Sequence, residues 1–98
     1  MIRMEIGNLP DDPLDAAAAF HGDWLGKARA APDDLLMVFP PAHHTHRRWR
    51  LAATQELARA AAPRRVNAVA SDNKDAIDEA AAYLADAPGI TGQYLPLG

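Results

Sequence analysis

Three histidines, His43, His44 and His46, lie close together near the middle of the sequence. Imidazole side chains can bind zinc or act as bases near neutral pH. Their spacing matches no established zinc motif such as His-Glu-x-x-His, and a solvated loop that leads into a helix is the better explanation. We therefore regard the three histidines as weak metal candidates and expect no metal site.

The same segment suggests a second kind of chemistry, the binding of an anion. Thr45 is positioned to cap the helix that follows, so that free backbone N–H groups, Arg47 and Arg48 would meet a phosphate. The alternative interpretation is two exposed arginines at a helix start, which is a mildly unfavourable place for positive charge. The candidate anion or ligand site comprises residues that follow two predicted strands: His43, Thr45, His46, Arg47, Ser71 and Asp72.

Other residues with reactive side chains have simpler explanations. His21 and Trp24 lie on an apolar helix stripe, which predicts core or interface positions. The carboxylate pairs at 11–12 and 33–34 precede predicted elements as caps or turns. No residue is therefore assigned a catalytic role.

The elements that position these residues follow from hydrophobic periodicity. Strands are predicted at 1–6, 35–39 and 64–71, and the tail 90–98 has room for a short fourth strand. Three helices lie between them, and their predicted apolar stripes are Leu14, Ala17, Ala18, His21, Trp24, Leu25 and Ala28; then Trp49, Ala52, Ala53, Leu57, Ala60 and Ala61; then Ile77, Ala80, Ala81 and Leu84. Arg47, Arg48, Arg50, Gln55 and Arg59 are predicted to lie largely off the second stripe, and Ser71 or Asp72 to cap the third helix.

Alternating strands and helices predict an α/β fold, a small Rossmann-like parallel four-stranded sheet in the order β-α-β-α-β-α-β. The length of 98 residues allows one domain, 1–98, with a modest core. The net charge of −3 provides no general attraction for nucleic acid or an anionic membrane, and no apolar run is long enough to span a bilayer. Cysteine is absent and the N-terminus lacks the apolar core of a signal peptide, so we expect a cytoplasmic protein.

Two segments resemble the C-terminal part of the short-chain dehydrogenase/reductase family. Residues 65–70, Arg-Val-Asn-Ala-Val-Ala, match the family's strand R-V-N-A-V-A-P-G, and residues 90–93, Ile-Thr-Gly-Gln, match the residues before its last strand. The resemblance implies a truncated Rossmann-like domain whose strands lie in chain order. With right-handed crossovers throughout, all three helices would cover one face of the sheet, and the other face would be bare. The alternative is a rearranged sheet in which the first strand moves inward and helices cover both faces.

The departures from the family pattern argue against its reaction. The sequence has no Gly-rich dinucleotide loop, and the nearest offsets to the family's Tyr-x-x-x-Lys pair are Phe39 with His43 and Pro41 with Thr45. Ser71 and Asp72 stand where the family has Pro-Gly. We therefore expect no cofactor.

These observations predict a non-catalytic scaffold that acts by self-association, as a homodimer, or by docking to a partner protein, because a bare apolar face usually marks an interface. The alternative is a minimal NAD(P)-linked oxidoreductase, or a subunit of one, completed by a partner chain. Nucleic acid and membranes are not expected partners.

Overall fold

The computed structural model describes residues 1–97 and places them in a parallel four-stranded sheet with helices on both faces. The strands are β1 (Ile2–Glu5), β2 (Leu35–Phe39), β3 (Val66–Ala70) and β4 (Tyr94–Pro96), and the helices are α1 (Pro13–Asp23), α2 (Leu25–Ala30), α3 (Arg47–Ala61) and α4 (Lys74–Ala85). The α/β class and the alternation predicted from the sequence are confirmed. Among these residues, no helix is both long and apolar enough to cross a membrane.

The strands lie side by side in chain order, β1-β2-β3-β4, and every pairing is parallel. All five residues of β2 are buried, as expected for a strand that is covered on both faces. Side chains alternate between two cores. The major core, with α1, α2 and α3, contains Leu35, Met37 and Phe39, whereas the second core contains Leu36 and Val38.

Helix α4 lies on the opposite face of the sheet from the other helices, and the expectation of one bare face is wrong. Ile77, Ala81 and Leu84 of α4 pack against β2 and β3 residues of the second core. The β3–α4–β4 connection moves across the sheet in the same direction as the preceding ones but over the other face, so its handedness is opposite to theirs. Apolar contacts made by the α4 stripe outweigh the general preference for right-handed crossovers here.

The first predicted helix is divided at Trp24, and its buried face differs from the predicted one. Trp24 adopts φ −118° and separates α1 from α2, close to Gly22, which weakens helix formation. Ala16 and Phe20 are the fully buried residues of α1, whereas Leu14 is 82% exposed and His21 is exposed. The prediction of a core position for His21 is wrong; its Nδ1 lies 2.7 Å from the Ala17 carbonyl oxygen.

Helix α3 also turns a different face to the sheet. Ala53 and Leu57 are buried as predicted, but Ala52 and Ala60 are exposed. Arg50, which was expected off the apolar stripe, is only 2% exposed. The α3 face that packs on β2 and β3 therefore includes a positive charge.

Candidate functional site

The carboxyl-terminal ends of the strands form the edge where open parallel sheets bind ligands. Here β2 leads into an exposed segment, Pro40–His43, a 3₁₀ turn at His44–His46 and then α3. β3 ends beside β2, since Ser71 N–H donates to the Phe39 carbonyl over 3.1 Å. The candidate residues that follow both strands thus lie at one edge of the sheet.

His46 is buried, and both of its ring nitrogens have partners within the fold. Trp49 Nε1–H donates to His46 Nδ1 over 3.1 Å, and His46 Nε2 lies 2.9 Å from the Asp11 backbone carbonyl. An indole N–H only donates and a carbonyl only accepts, so the hydrogen sits on Nε2. His46 therefore ties the β1–α1 loop to α3, and neither nitrogen is free for a ligand.

His43 and His44 are exposed, and their rings are stacked with centroids 4.1 Å apart. His43 Nδ1 accepts a hydrogen bond from Thr45 N–H over 3.4 Å and lies 3.2 Å from Thr45 Oγ1. The side chain that caps this turn is therefore His43, and the expected capping of α3 by Thr45 is wrong. Within residues 1–97, the histidines and carboxylates form no group of three that could hold a metal ion.

The residues after β3 serve the start of α4. Ser71 is buried, and its Oγ accepts a hydrogen bond from Asn73 N–H over 3.0 Å. Asn73, rather than Ser71 or Asp72, caps α4, because its side-chain oxygen accepts from Ala76 N–H over 3.1 Å. Asp72 is exposed.

Two clefts lie beside the histidines. One, of about 390 Å³, is lined by His43, His46 and Arg50 among others; the other, of about 200 Å³, by His43, His44 and Arg47. Neither of these clefts is lined by Ser71 or Asp72. The structure thus brings the candidate residues of the β2–α3 connection together and leaves those after β3 apart from them.

Arg50 is the functional candidate that the sequence interpretation missed. Its guanidinium carbon lies 4.6 Å from the Phe39 ring centroid and 5.7 Å from that of Trp49, distances typical of cation–π contacts. Its Nη1 donates to the Pro40 carbonyl over 2.8 Å and to Tyr94 Oη over 3.2 Å. Helical spacing in the sequence indicates a buried position for this residue, because position 50 lies one turn before Ala53 and Thr54, which are buried.

The family resemblance implies a dinucleotide, whose pyrophosphate would need a helix N-terminus free of negative charge. The Asp12 carboxylate caps α1 by accepting from Asp15 N–H over 3.0 Å, and Asp15 lies in the first turn. The start of α4 carries Asp72 and Asp75. Carboxylates at these two positions repel phosphate, so the described residues do not fit a pyrophosphate at α1 or α4.

The family-like strand and tail bind to each other at the other end of the sheet. Asn67 is fully buried, donates Nδ2–H to the Ile90 carbonyl over 3.0 Å and accepts from Gln93 N–H over 3.0 Å. Thr91 Oγ1 accepts from Val66 N–H over 3.0 Å, and Gly92, at φ +76°, donates N–H to the Val66 carbonyl over 2.7 Å. These matched residues hold β4 against β3, which is a structural task.

Arg65 completes this end of the sheet. It donates to the Leu84 and Ala87 carbonyls, 2.8 Å each, at the end of α4, where a helix dipole favours positive charge. Its backbone N–H and Nε donate to the Asp34 carboxylate. The Arg65 backbone hydrogen bond is the main cause that lowers the pKa of Asp34 below its usual value, and burial opposes it.

Comparison with known proteins gives one match. The family model described as SDR-like, short chain dehydrogenase-like protein, matches residues 4–97. No curated protein and no solved structure matches the chain significantly. The match covers both segments that carry the resemblance.

Proposed function

Because the chain belongs to the short chain dehydrogenase-like family, we propose that it is a family scaffold that self-associates and does not carry out the family's reaction. The side chains at the expected site support a structural use, since His46, Ser71 and His43 each stabilise the local backbone. The carboxylates at the starts of α1 and α4 would repel a pyrophosphate, which supports a function that needs no dinucleotide cofactor.

The two edges of the sheet differ in their capacity to pair with another chain. On either side of β4, the Gln93 carbonyl and the Leu97 N–H bond to β3, so the backbone groups of the alternate residues Tyr94 and Pro96 face away from β3. Proline has no N–H, and β4 has three residues, which are features that block pairing at an edge. We therefore place the contact at β1 instead.

The edge of β1 is open to another strand. Ile2 donates N–H to the Asp34 carbonyl just before β2 and Ile6 to the Val38 carbonyl of β2, over 2.8 Å each, so the backbone groups of Arg3 and Glu5 face away from β2. No strand within residues 1–97 pairs with that side. An antiparallel second copy with Met4 at the two-fold axis would form hydrogen-bonded pairs between Arg3 and Glu5 of opposite protomers.

Charge complementarity is the observation that favours a second copy. In this register each Arg3 lies opposite the Glu5 of the other protomer. A register that pairs Arg3 with Arg3, or Glu5 with Glu5, would place like charges together. Arg3 also contacts Asp78 at 2.7 Å, with a side chain that is 37% exposed and accessible to a partner. Along the same edge, Met1 is 41% exposed, and Ile2 and Met4 are only partly buried. The product would be a continuous eight-stranded sheet in a dimer with two-fold symmetry.

Native mass spectrometry and light scattering of the protein and of Glu5→Pro test the proposal. The Glu5 N–H bonds no residue of β2, so proline should leave the protomer folded and remove an intermolecular donor. We expect a dimer for the parent and a monomer for the variant. A monomeric parent protein at 50 to 100 µM, roughly, would contradict self-association and direct attention to a partner protein.

A second measurement separates the scaffold from the alternative enzyme. Titration with NADH and NADPH, followed by nucleotide fluorescence, should show no saturable binding by the protein alone. Micromolar binding would contradict the proposal and favour an NAD(P)-linked oxidoreductase. We further propose a cytoplasmic location, which fractionation of the producing cells tests.

A further inference from the structure

The Arg50 side chain carries a buried charge that has no counter-ion among residues 1–97. It is 2% exposed, and no carboxylate of residues 1–97 lies within 4.0 Å of its guanidinium nitrogens. Removing a charge from water without a paired charge is costly. The aromatic faces of Phe39 and Trp49 compensate for part of that cost. Within residues 1–97, the buried guanidinium of Arg50 therefore has no ionic partner.

The hydrogen bonds of Arg50 show where that charge would go. Nη1 is occupied by Pro40 and Tyr94. Nε is buried and has no acceptor, and Nη2 bonds no acceptor in the described chain. Nε and Nη2 form one edge of the planar guanidinium, the edge that holds a carboxylate through two parallel hydrogen bonds.

Arg50 lines the cleft of about 390 Å³ between the β1–α1 and β2–α3 connections. The other walls are mostly apolar: Leu9, Pro10, Pro40, Pro41 and Ala42. Asp11 also lines it. The negative charge of exposed Asp11 beside the cleft disfavours a polyanion such as pyrophosphate, while the apolar walls favour a ligand with a hydrophobic body.

We propose that this cleft binds a small apolar monocarboxylate, whose carboxylate pairs with the Nε–Nη2 edge of Arg50 and whose body contacts the proline-lined walls. Because Nε is buried, this binding requires a small displacement of the exposed residues 40–42 that line the cleft. This site is independent of β1 and does not rest on self-association.

Benzoate tests the proposal, with benzamide as its uncharged analogue of the same shape. In NMR titrations at neutral pH, benzoate should shift the Arg50 Nε–H and Trp49 indole N–H signals in a saturable manner. Benzamide should bind about tenfold or more weakly, because it loses the charge-assisted pair. Equal binding of both compounds, or binding that leaves the Arg50 signal unmoved, would overturn the proposal.

Matched variants locate the site. Arg50→Lys keeps the charge and removes the two-pronged edge, so benzoate affinity should fall about tenfold. Arg59→Lys makes the same change at an exposed α3 arginine that lines neither cleft and should leave affinity unchanged. Loss of binding in Arg47→Lys, which alters the neighbouring cleft, together with full binding in Arg50→Lys would overturn the assignment. If circular dichroism shows that Arg50→Lys does not fold, the test rests on the parent protein, in which benzoate should shift the Arg50 Nε–H signal.

Inorganic phosphate distinguishes the class of anion. We expect benzoate to bind more tightly than phosphate at equal ionic strength, because the walls are apolar and Asp11 opposes a second negative charge. The carboxylate assignment would be overturned if phosphate bound more tightly than benzoate and benzoate displaced it only weakly.

Discussion

The Asp34 carboxylate accepts two hydrogen bonds from Arg65, one from its backbone N–H over 2.8 Å and one from its Nε over 3.0 Å. These bonds join the residue before β2 to the residue before β3. Because Arg65 also reaches the last carbonyls of α4, a single ion pair connects the two neighbouring strands with the helix on the second face.

We predict that Asp34→Asn lowers the free energy of unfolding by about 1–2 kcal/mol at pH 7. The pKa of Asp34 is lowered in the folded state, chiefly by the Arg65 backbone N–H. Its contribution is therefore present above the unfolded pKa, near 4, and is lost as the pH falls through the folded pKa. Urea denaturation at pH 7 and at about pH 2.5 should show a smaller difference between the parent and the variant at the lower pH.

Asp78→Asn is the comparison for this experiment. The pKa of Asp78 is lowered in the same direction, first by Lys74 and then by Arg3, but the pair is exposed. It should cost clearly less stability than Asp34→Asn, because solvent screens it. Equal costs of the two substitutions would contradict the central role assigned to the Asp34–Arg65 pair.

Asn67→Leu should destabilise the protein by about 2–4 kcal/mol, because it removes a fully buried amide and leaves two partly buried backbone groups without their partners. The groups are the Ile90 carbonyl and the Gln93 N–H. Asn67→Asp keeps the acceptor and loses the donor, so its effect should depend on pH. Thermal denaturation checks both, and a neutral Asn67→Leu would show that water replaces the Asn67 amide.

Gly92→Ala should cost about 1–3 kcal/mol, since φ at this position is +76° and a side chain is strained there. Space is not the cause, because the added Cβ would lie 3.7 Å from Ala58 Cβ, an ordinary contact. Gly89→Ala is the control: nothing lies within 4 Å of its Cβ, and φ is not in the left-handed region. Similar costs in denaturation experiments would refute the conformational explanation.

Charge exchange in β1 should change the oligomeric state. Arg3→Glu or Glu5→Arg alone opposes like charges across the proposed dimer axis, and we expect each to lower dimer affinity about fivefold or more. Combining them restores opposite charges and should recover dimerisation, which sedimentation measures. Glu56→Arg, on exposed α3 surface, is the control for the change in net charge. A double variant no better than the singles would refute the register.

The sequence predicts the strands well because their signals are local. The apolar run of β2 and the alternation of β1 each mark a strand, and turn residues such as Pro40 mark the ends. Helix α4 has one side of large apolar residues, Ile77 and Leu84, so the side of the helix that packs against the sheet was also predictable.

The faces of α1 and α3 were harder to predict because alanine occurs on every side of these helices. In α1 the side that contains Phe20 is buried, and alanines beside it fit either orientation. In α3 the helical spacing from Ala53 places Arg50 on the buried side, but hydropathy assigns its charge to solvent. Cation–π contacts with neighbouring Trp49 and with Phe39 of β2 stabilise the charge inside, and the second contact depends on how α3 packs against the sheet.

The opposite handedness of the last crossover has no local signal either. The preference for right-handed crossovers, together with the strand order, favours placing α4 on the same face as α1, α2 and α3. Its actual position depends on which face of β2 still has uncovered apolar residues. Likewise, His43 as a cap and His46 as a bridge to Asp11 follow from the tight path of the β2–α3 connection.

Strand order has a consequence for how the chain folds. Each strand pairs with the next one along the chain, about thirty residues away, and no strand is inserted between two others. Every pairing therefore closes one loop of moderate and similar entropy cost, and the sheet can grow outward from β2 and β3 by addition at its edges. Hydrogen exchange should accordingly find the most protected amides in these two central strands and the fastest opening at β4, whose three residues form the shortest ladder.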